Sequence, residues 1–269
     1  MKPLSVFLMF FLMLISCKEQ PKAHKDQEEA SKTMSQTAES RYPNALQKVF
    51  EAHGGISAWR GKKSLVYDMP KANGKETHTT NLYSRKDRID ALNFSMGFDG
   101  EKVWLLDEND SYDGDPVFYH NLMFYFYAMP FILADKGIVY GETEDLVFQG
   151  KHYPGVRIRY EVGVGTSYKD EYFIHYDPET YQMTWLGYTV TYRSGEKSDN
   201  VKWIRYNDWM EVAGVILPRS ITWHAYEGRD IKEAKSTVPF ENVVLSETAK
   251  PDAFFAKPET AKVVVGKTQ

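Results

Sequence analysis

The chain has little cysteine, little net charge and no complete catalytic motif of a common kind. One cysteine occurs among 269 residues, which excludes an intramolecular disulfide and a cysteine-rich metal site. The formal net charge of -4 argues against a nucleic-acid-binding protein, which usually carries a basic patch. No Gly-x-Ser-x-Gly, complete phosphate-binding loop or His-Glu-x-x-His is present, so the usual hydrolase, nucleotide and zinc-protease signatures are missing.

Aromatic and other hydrophobic residues are abundant by contrast. Hydrophobic residues make up 42% of the chain and aromatic residues 14%. A chain of this length and composition can bury a sizeable core. The aromatic share favours pleated, half-buried surfaces over helical bundles. Composition therefore indicates a globular, strand-rich protein.

The single cysteine follows a short apolar run. Lys2 precedes an uncharged apolar segment over residues 4–15, which is too short for a spanning helix and is typical of a secretory signal peptide. Residues 14–17 (LISC) resemble the bacterial lipobox. That resemblance implies cleavage after residue 16 and a diacylglyceryl anchor with palmitate-type chains on Cys17. The alternative is an ordinary signal peptide in which the cysteine is incidental.

Lipidation would place the protein in the cell envelope. No Asp follows Cys17, so the resemblance implies the outer membrane, at its periplasmic face or at the cell surface. Residues 18–41 are polar, mixed in charge and without apolar periodicity, which predicts a flexible tether with a span of about 27 Å. We therefore divide the chain into a signal peptide (1–16), a lipidated cysteine and tether (17–41), a folded domain (42–265) and a tail (266–269).

The folded domain contains many strand-length segments separated by turn residues. Asn73-Gly74, residues 98–100 and residues 177–179 are typical turn sequences. Residues 156–162 alternate apolar and charged side chains, which indicates a strand with one buried face. Because short connections join antiparallel neighbours, we predict a mainly β fold: one curved antiparallel sheet, or incomplete barrel, of about ten strands with helices on its concave face.

One long segment has no charged residue. Residues 116–134 are uncharged, and Asp115-Pro116 has the pattern of a helix N-cap followed by proline. Pro130 should kink or end the helix. We predict a helix packed on the concave face of the sheet, and the alternative is a segment that dips into a membrane.

Several segments together resemble a known family. They are residues 98–100 with Val103-Trp104, residues 177–180, residues 187–192 and residues 209–218, in the context of a lipobox and an apolar helix between strands. In the order of these turn and strand segments, residues 43–265 resemble the LolA/LolB-type outer-membrane lipoprotein carriers and uncharacterised lipoproteins of Gram-negative bacteria. The resemblance implies an incomplete barrel with a helical lid around an apolar cavity for acyl chains. The soluble carriers have no anchor, so an anchored binding role fits this chain better than a shuttle.

The sequence contains few candidate catalytic or metal-binding groups. The histidines are scattered, and the acidic loop at residues 107–115 lacks the calcium-binding spacing; we predict neither a metal site nor a cofactor. The main hypothesis is an anchored binding protein, rather than an enzyme, whose ligand is a lipid or lipoprotein acyl chain. The alternatives are an envelope hydrolase using Asp107 or Asp113 with a histidine, and a packed interaction module without a ligand. The candidate cavity residues are Trp104, Phe118, Leu122, Phe126, Met129, Trp185, Trp203 and Trp223.

Overall fold

The computed structural model describes residues 41–164 and 167–266. The predicted signal peptide, the lipidated Cys17, the tether up to residue 40 and the tail after residue 266 lie outside the described residues. The predicted mainly β, antiparallel fold is confirmed. Every strand pair in the described ranges is antiparallel, and neither large sheet closes on itself.

Short helices occur at the beginning of the domain, between the two halves of the strand series and near the end. They are α1 (Asn44–Ala52), α2 (Ile56–Arg60), α3 (Pro116–Tyr119), α4 (Leu122–Tyr127), a 3-10 helix (Phe131–Ala134) and α5 (Asp252–Phe255).

The described residues form sixteen strands, which is more than the sequence prediction of about ten. They are β1 (Ser64–Lys71), β2 (Gly74–Asn81), β3 (Asp87–Asp90), β4 (Ser95–Phe98), β5 (Val103–Leu106), β6 (Ile138–Gly141), β7 (Leu146–Phe148), β8 (Lys151–Tyr153), β9 (Gly155–Tyr160), β10 (Tyr172–Tyr176), β11 (Met183–Tyr188), β12 (Lys202–Val212), β13 (Val215–Glu227), β14 (Asp230–Pro239), β15 (Glu241–Ser246) and β16 (Lys262–Val264).

The strands form two seven-stranded sheets and a separate hairpin, rather than one continuous hydrogen-bonded sheet. The first sheet has the order β15-β1-β2-β3-β4-β5-β16, and the second has the order β14-β13-β12-β11-β10-β9-β6. Strands β7 and β8 form the hairpin. Most neighbours in each sheet are consecutive in sequence, as the short turns predicted.

The chain passes from the second sheet to the first at Phe240. The amide of Phe240 donates to the carbonyl of Arg219 on β13, whereas the next residue, Glu241, pairs with Asp68 on β1. The Phe240 ring is buried 4.2 Å from the ring of Tyr127. The buried ring of Phe240 therefore marks the corner between β14 and β15.

Both faces of the sheets are covered over part of their area. In β12, Ile204 and Tyr206 belong to the main core, whereas Trp203 belongs to a second cluster with Trp185. This alternation is the two-residue period of a strand. Phe148 of the β7–β8 hairpin packs 4.8 Å from the ring of Trp185. The hairpin therefore covers the outer face of the second sheet.

The segment at residues 116–134 forms three short helices, rather than the one predicted helix, and packs against strands of both sheets. Asp115 caps α3, since its Oδ1 accepts hydrogen bonds from the amides of Val117 and Phe118 at 3.0 and 3.3 Å. Helix α4 ends at Tyr127, before Pro130. The described ranges hold no helix with the length and apolar character needed to cross a membrane.

Candidate functional site

The insertion between β5 and β6 forms part of the main core. Residues 123–134 are buried except Tyr125, which is half-buried. A buried segment must satisfy its backbone polar groups within the protein. Three tyrosine hydroxyls from outside the insertion donate to its carbonyl oxygens: Tyr206 to Phe126 at 2.8 Å, Tyr140 to Leu133 at 2.6 Å and Tyr42 to Ala134 at 3.2 Å.

A cavity of about 230 Å³ remains between the insertion and the second sheet. Helices α3 and α4 form one wall, and the ends of β9 and β10 with the segments that follow β9 and β11 form the other. The cavity is partly open to solvent. Its lining residues are Val117, Phe118, Asn121, Leu122, Tyr125, Phe126, Ile132, Asp135, Lys136, Tyr160, Val164, Ser167, Asp170, Tyr172 and Tyr192.

Aromatic rings dominate the walls of this cavity. The rings of Tyr160 and Tyr172 meet edge to face, with their centroids 5.8 Å apart. Phe118 of α3 lies 4.9 Å from Tyr192, whose hydroxyl donates to Oδ2 of Asp115 at 3.1 Å. Such ring pairs keep large side chains in fixed positions. The cavity is therefore a preformed aromatic site.

Two carboxyl groups, Asp135 and Asp170, and one amino group, Lys136, line the cavity. Asp170 is only 8% exposed, and its Oδ1 accepts a hydrogen bond from the amide of Thr191 at 2.6 Å. Burial raises the pKa of the Asp170 carboxyl, although the bonds from Thr191 oppose this rise. Asp135 accepts two hydrogen bonds from the guanidinium of Arg85, at 2.8 and 2.6 Å. Lys136 lies exposed at the rim.

The tyrosines of the cavity remain neutral. Burial, followed by the charges of neighbouring groups that include Asp170, raises the pKa of both Tyr160 and Tyr172. Burial is also the main cause of the raised pKa of Tyr125. These hydroxyl groups can donate and accept hydrogen bonds with a ligand at neutral pH.

Three of the predicted cavity residues line this cavity. Phe118, Leu122 and Phe126 share the face of the insertion that looks onto it. Met129 lies fully buried in the main core. Trp223 packs 5.8 Å from Phe126, and its indole nitrogen donates to the Tyr188 hydroxyl at 2.9 Å.

The three remaining predicted residues, like Met129 and Trp223, do not line this cavity. Trp185 and Trp203 are fully buried in the cluster on the outer face of the second sheet. Trp104 is fully buried opposite Gly97, and its indole nitrogen donates to the carbonyl of Phe255 in α5 at 3.1 Å. The structure thus separates the predicted set because neighbouring positions on a strand face opposite sides.

The cavity residues predicted from the sequence did not include Tyr160, Tyr172, Tyr192 or Asp170. The signal for Tyr160 was present, because it continues the apolar alternation of Val156 and Ile158 on one face of β9. Tyr172 lies on the next strand, directly opposite Ile158, so its place follows from the pairing register. Asp170 and Tyr192 lie outside the strands, where periodicity predicts nothing.

Two acid–histidine contacts occur away from the cavity, on the inner face of the first sheet. Oε2 of Glu76 accepts a hydrogen bond from the Tyr119 hydroxyl at 2.7 Å and lies 3.3 Å from Nε2 of His78. Oδ2 of Asp87 lies 2.7 Å from Nδ1 of His120. All four acid and histidine side chains are buried. They connect the insertion to the sheet and do not line the cavity.

The acids considered for hydrolysis belong to a surface loop. Asp107 accepts hydrogen bonds from the amides of Ser111 and Tyr112 at 3.0 and 2.8 Å, so it stabilises its own loop. Asp113 is exposed. In residues 41–164 and 167–266, no group of three His, Cys, Asp or Glu side chains is arranged to hold a metal ion.

Comparison with known proteins identifies a family and a set of similar folds. A model described as a family of unknown function, DUF6503, matches residues 6–213. No curated protein matches the chain.

Similar solved structures include the family expected from the sequence. A LolA superfamily protein from Nitrosomonas europaea is 8% identical, with a TM-score of 0.43 over 72% of this chain and 88% of its own. A DUF1329 family protein from Desulfovibrio piger is 10% identical, with a TM-score of 0.44 over 77% and 97%. A domain named for outer-membrane lipoprotein sorting, from Vibrio parahaemolyticus, is 8% identical, with a TM-score of 0.40 over 76% and 96%.

Proposed function

The chain belongs to DUF6503, a family of unknown function, and we propose that it is a lipid-anchored cell-envelope protein that binds one hydrophobic ligand. The binding site is the cavity between α3, α4 and the second sheet. The ligand is a lipid or a lipoprotein acyl chain. The observation that carries this proposal is the cavity of about 230 Å³ with its aromatic walls.

The surroundings of the cavity support a binding role. Apolar and aromatic side chains from the insertion and from the second sheet face an unfilled space, although residues 123–134 beside it are largely buried. Protein interiors normally contain few voids larger than a water molecule. An aromatic cavity that opens to solvent is the usual form of a site for a small apolar ligand.

The size of the cavity limits the ligand. Sites for drug-sized ligands occupy roughly 300–1,000 Å³, and this cavity lies just below that range. It therefore accepts one hydrocarbon chain or one small ring system. Several acyl chains would require α3 and α4 to move away from the sheet.

Helix α3 borders the open side of the cavity. On the cavity side, α3 is attached by the ring contact of Phe118 with Tyr192 and by the hydrogen bond from Tyr192 to Asp115. Both contacts lie at the partly exposed rim. The entrance to the cavity therefore lies beside α3, while Tyr119 and the following His120 contact Glu76 and Asp87 of the first sheet.

The predicted anchor agrees with this role. Cys17 would hold the domain at the outer membrane, and residues 18–41 would allow it to reach lipids or lipoproteins in the neighbouring periplasm or at the cell surface. Binding of this kind requires neither a cofactor nor a catalytic group. The proposal therefore describes a binding protein rather than an enzyme.

The test is to measure binding with the full chain. The protein is extracted from membranes without detergent, and non-covalently bound lipid is detected by native mass spectrometry. Binding of a neutral fluorescent hydrophobic dye is then measured for the wild type and for Leu122→Trp, which fills the cavity with a larger side chain. The control is Leu92→Trp, because Leu92 is 74% exposed.

We expect bound lipid in the wild type, and a dye affinity at least about tenfold weaker in Leu122→Trp, which corresponds to about 1.4 kcal/mol. Leu92→Trp should bind the dye as the wild type does. A wild-type protein without lipid and without dye binding would overturn the proposal in favour of a packed interaction module. Equal dye binding by Leu122→Trp and the wild type would place the site elsewhere.

A further inference from the structure

Asp170 is a buried carboxyl group without a cationic partner. It is 8% exposed and lines the cavity. Its hydrogen-bond donor is the amide of Thr191, and no Lys, Arg or His of the described ranges forms an ion pair with it. An ionised carboxylate in such surroundings is costly unless a positive charge compensates it. Asp170 thus differs from Asp135, which is paired with Arg85.

The aromatic rings beside Asp170 are suited to a positive charge. Tyr125, Tyr160 and Tyr172 line the same cavity, and the last two lie close enough to Asp170 for its charge to raise their pKa. The face of an aromatic ring attracts ammonium groups, and a cage of several rings is the usual site for alkylated ammonium ions. A carboxylate beside the cage adds direct charge compensation.

An anionic head group fits the same place poorly. Among the described residues that line the cavity, Lys136 is the only lysine or arginine, and it is exposed to water. A second carboxylate or a phosphate next to Asp170 would bring like charges together in a buried site. The rest of the lining, with Leu122, Phe126 and Ile132, is apolar and suits a hydrocarbon chain.

We infer that the cavity binds the ammonium end of an amphiphile, with Asp170 as the counter-ion, the tyrosine rings as the cage and the apolar lining as the site of the hydrocarbon chain. The ligand class is an amine that carries an alkyl chain, either as a free amphiphilic amine or as the amine head of a lipid. This inference rests on the proposed function and specifies the chemistry of the ligand.

The test compares four ligands with the same alkyl chain. Octylammonium, octyltrimethylammonium, 1-octanol and octanoate are titrated by calorimetry into the full chain carrying Cys17→Ala, which removes the predicted lipidation site. We expect the two cations to bind about tenfold more tightly than 1-octanol, and octanoate to bind most weakly. This comparison requires no change within the cavity, so it does not depend on the folding of a cavity variant.

Two substitutions then test the individual groups. Asp170→Asn keeps an oxygen that can accept from Thr191 but removes the charge, so the preference for octylammonium over 1-octanol should fall about tenfold. The control is Asp110→Asn, since the Asp110 side chain is 94% exposed. Tyr160→Leu removes one ring of the cage and should weaken the binding of octyltrimethylammonium more than the binding of 1-octanol. Thermal unfolding verifies that each variant is folded.

The outcomes separate this inference from the proposed function. If 1-octanol or octanoate binds as tightly as the cations, the cavity is a site for apolar chains without an amine preference, and only the inference is overturned. If folded Asp170→Asn and Tyr160→Leu keep the preference of the wild type for the cations, the inference is likewise overturned and the proposed function is not. If the wild-type cavity binds none of the four ligands, both the inference and the proposed function are overturned. Mass spectrometry of the membrane-extracted protein then distinguishes the two sources of the amine. A bound amine lipid would identify the ligand as a lipid, and a bound alkylamine would identify it as a free amphiphilic amine.

Discussion

Nδ1 of His120 lies 2.7 Å from Oδ2 of Asp87. His120 follows α3 in the insertion and Asp87 is the first residue of β3, so the contact joins the insertion to the first sheet. Both side chains are buried. Among the described residues, Oδ1 of Asp87 has no hydrogen-bond partner, and burial raises the pKa of its carboxyl despite the opposing effect of His120.

Removal of His120 should destabilise the protein strongly. In His120→Ala the carboxyl group of Asp87 would remain buried without its histidine partner. Loss of one partner of a buried polar pair costs about 2–4 kcal/mol. We expect the free energy of unfolding, measured by urea titration, to fall by this amount.

A second histidine provides the matched control. His152 contacts Asp145 at 3.7 Å, but its side chain is 68% exposed. His152→Ala should change the free energy of unfolding by less than about 0.5 kcal/mol. Similar effects of the two substitutions would show that the contact with Asp87 does not hold the insertion.

The stability of the protein should decrease as the pH falls below 6.5, in part because of His53. Burial lowers the pKa of His53 from 6.5 to about 4, although the hydrogen bond from Nδ1 to the carbonyl of Val49 opposes this change. Between these two pH values the unfolded chain binds a proton at His53 and the folded chain does not. The free energy of unfolding therefore falls with pH in this window, by about 3 kcal/mol for this group at pH 4.

The contribution of His53 is measured as a difference between proteins, because other groups titrate in the same range. Burial also lowers the pKa of His175 to about 4, whereas the raised pKa values of Asp87 and Asp170 favour the folded state as the pH falls. His53→Asn can retain a donor to Val49 and should lose less stability than the wild type between pH 7 and pH 4 in urea titrations. His152→Asn should follow the wild type. An identical pH dependence for His53→Asn would contradict the assignment.

Gly97 should not tolerate a side chain. A Cβ atom on Gly97 would lie 2.4 Å from the carbonyl oxygen of Asp87 and 2.8 Å from Cζ2 of Trp104. Gly97→Ala should therefore lower the free energy of unfolding by about 1–3 kcal/mol through overpacking. Gly141→Ala is the control, since a Cβ atom there meets nothing within 4 Å, and it should leave the thermal midpoint nearly unchanged. A neutral Gly97→Ala would contradict the close approach of Trp104 to β4.

Lipidation of Cys17 is a prediction from the sequence that concerns a residue outside the described ranges. Cells of a Gram-negative host that express the full chain should incorporate a labelled palmitate analogue into it. Cys17→Ala should abolish the label and release the protein from the membrane fraction, whereas Ser16→Ala, which keeps a small residue before the cysteine, should retain both. Membrane association of Cys17→Ala without label would mean that another part of the chain holds the protein at the membrane.

Local sequence patterns were sufficient for several parts of the fold. The cap of α3 by Asp115 and the end of α4 before Pro130 follow from residues within one or two turns of the helix. The alternation of Val156, Ile158 and Tyr160 predicted the buried face of β9. Such features depend on neighbours in the chain, so they can be derived before the tertiary structure is known.

The division of the tryptophans could not be predicted in the same way. Trp203 lies between Lys202 and Ile204, and both faces of its strand are partly covered. Whether such a ring faces the main core or the outer cluster depends on the hairpin at residues 146–153, which is distant in sequence. The cavity depends on similar long-range choices, because Asp170 and Tyr192 reach it from segments outside the strands.

By itself the sequence determined the antiparallel, strand-rich architecture, the position of the uncharged insertion and the prediction of an anchor at Cys17. These features arise from composition, periodicity and local turn and capping chemistry, which act over a few residues. The tertiary structure alone decided that residues 123–134 enter the main core and that one cavity brings Phe118, Tyr160 and Tyr172 together with the buried carboxyl of Asp170. Strand register and the packing of distant segments set those contacts, and neither is encoded in any single stretch of the chain.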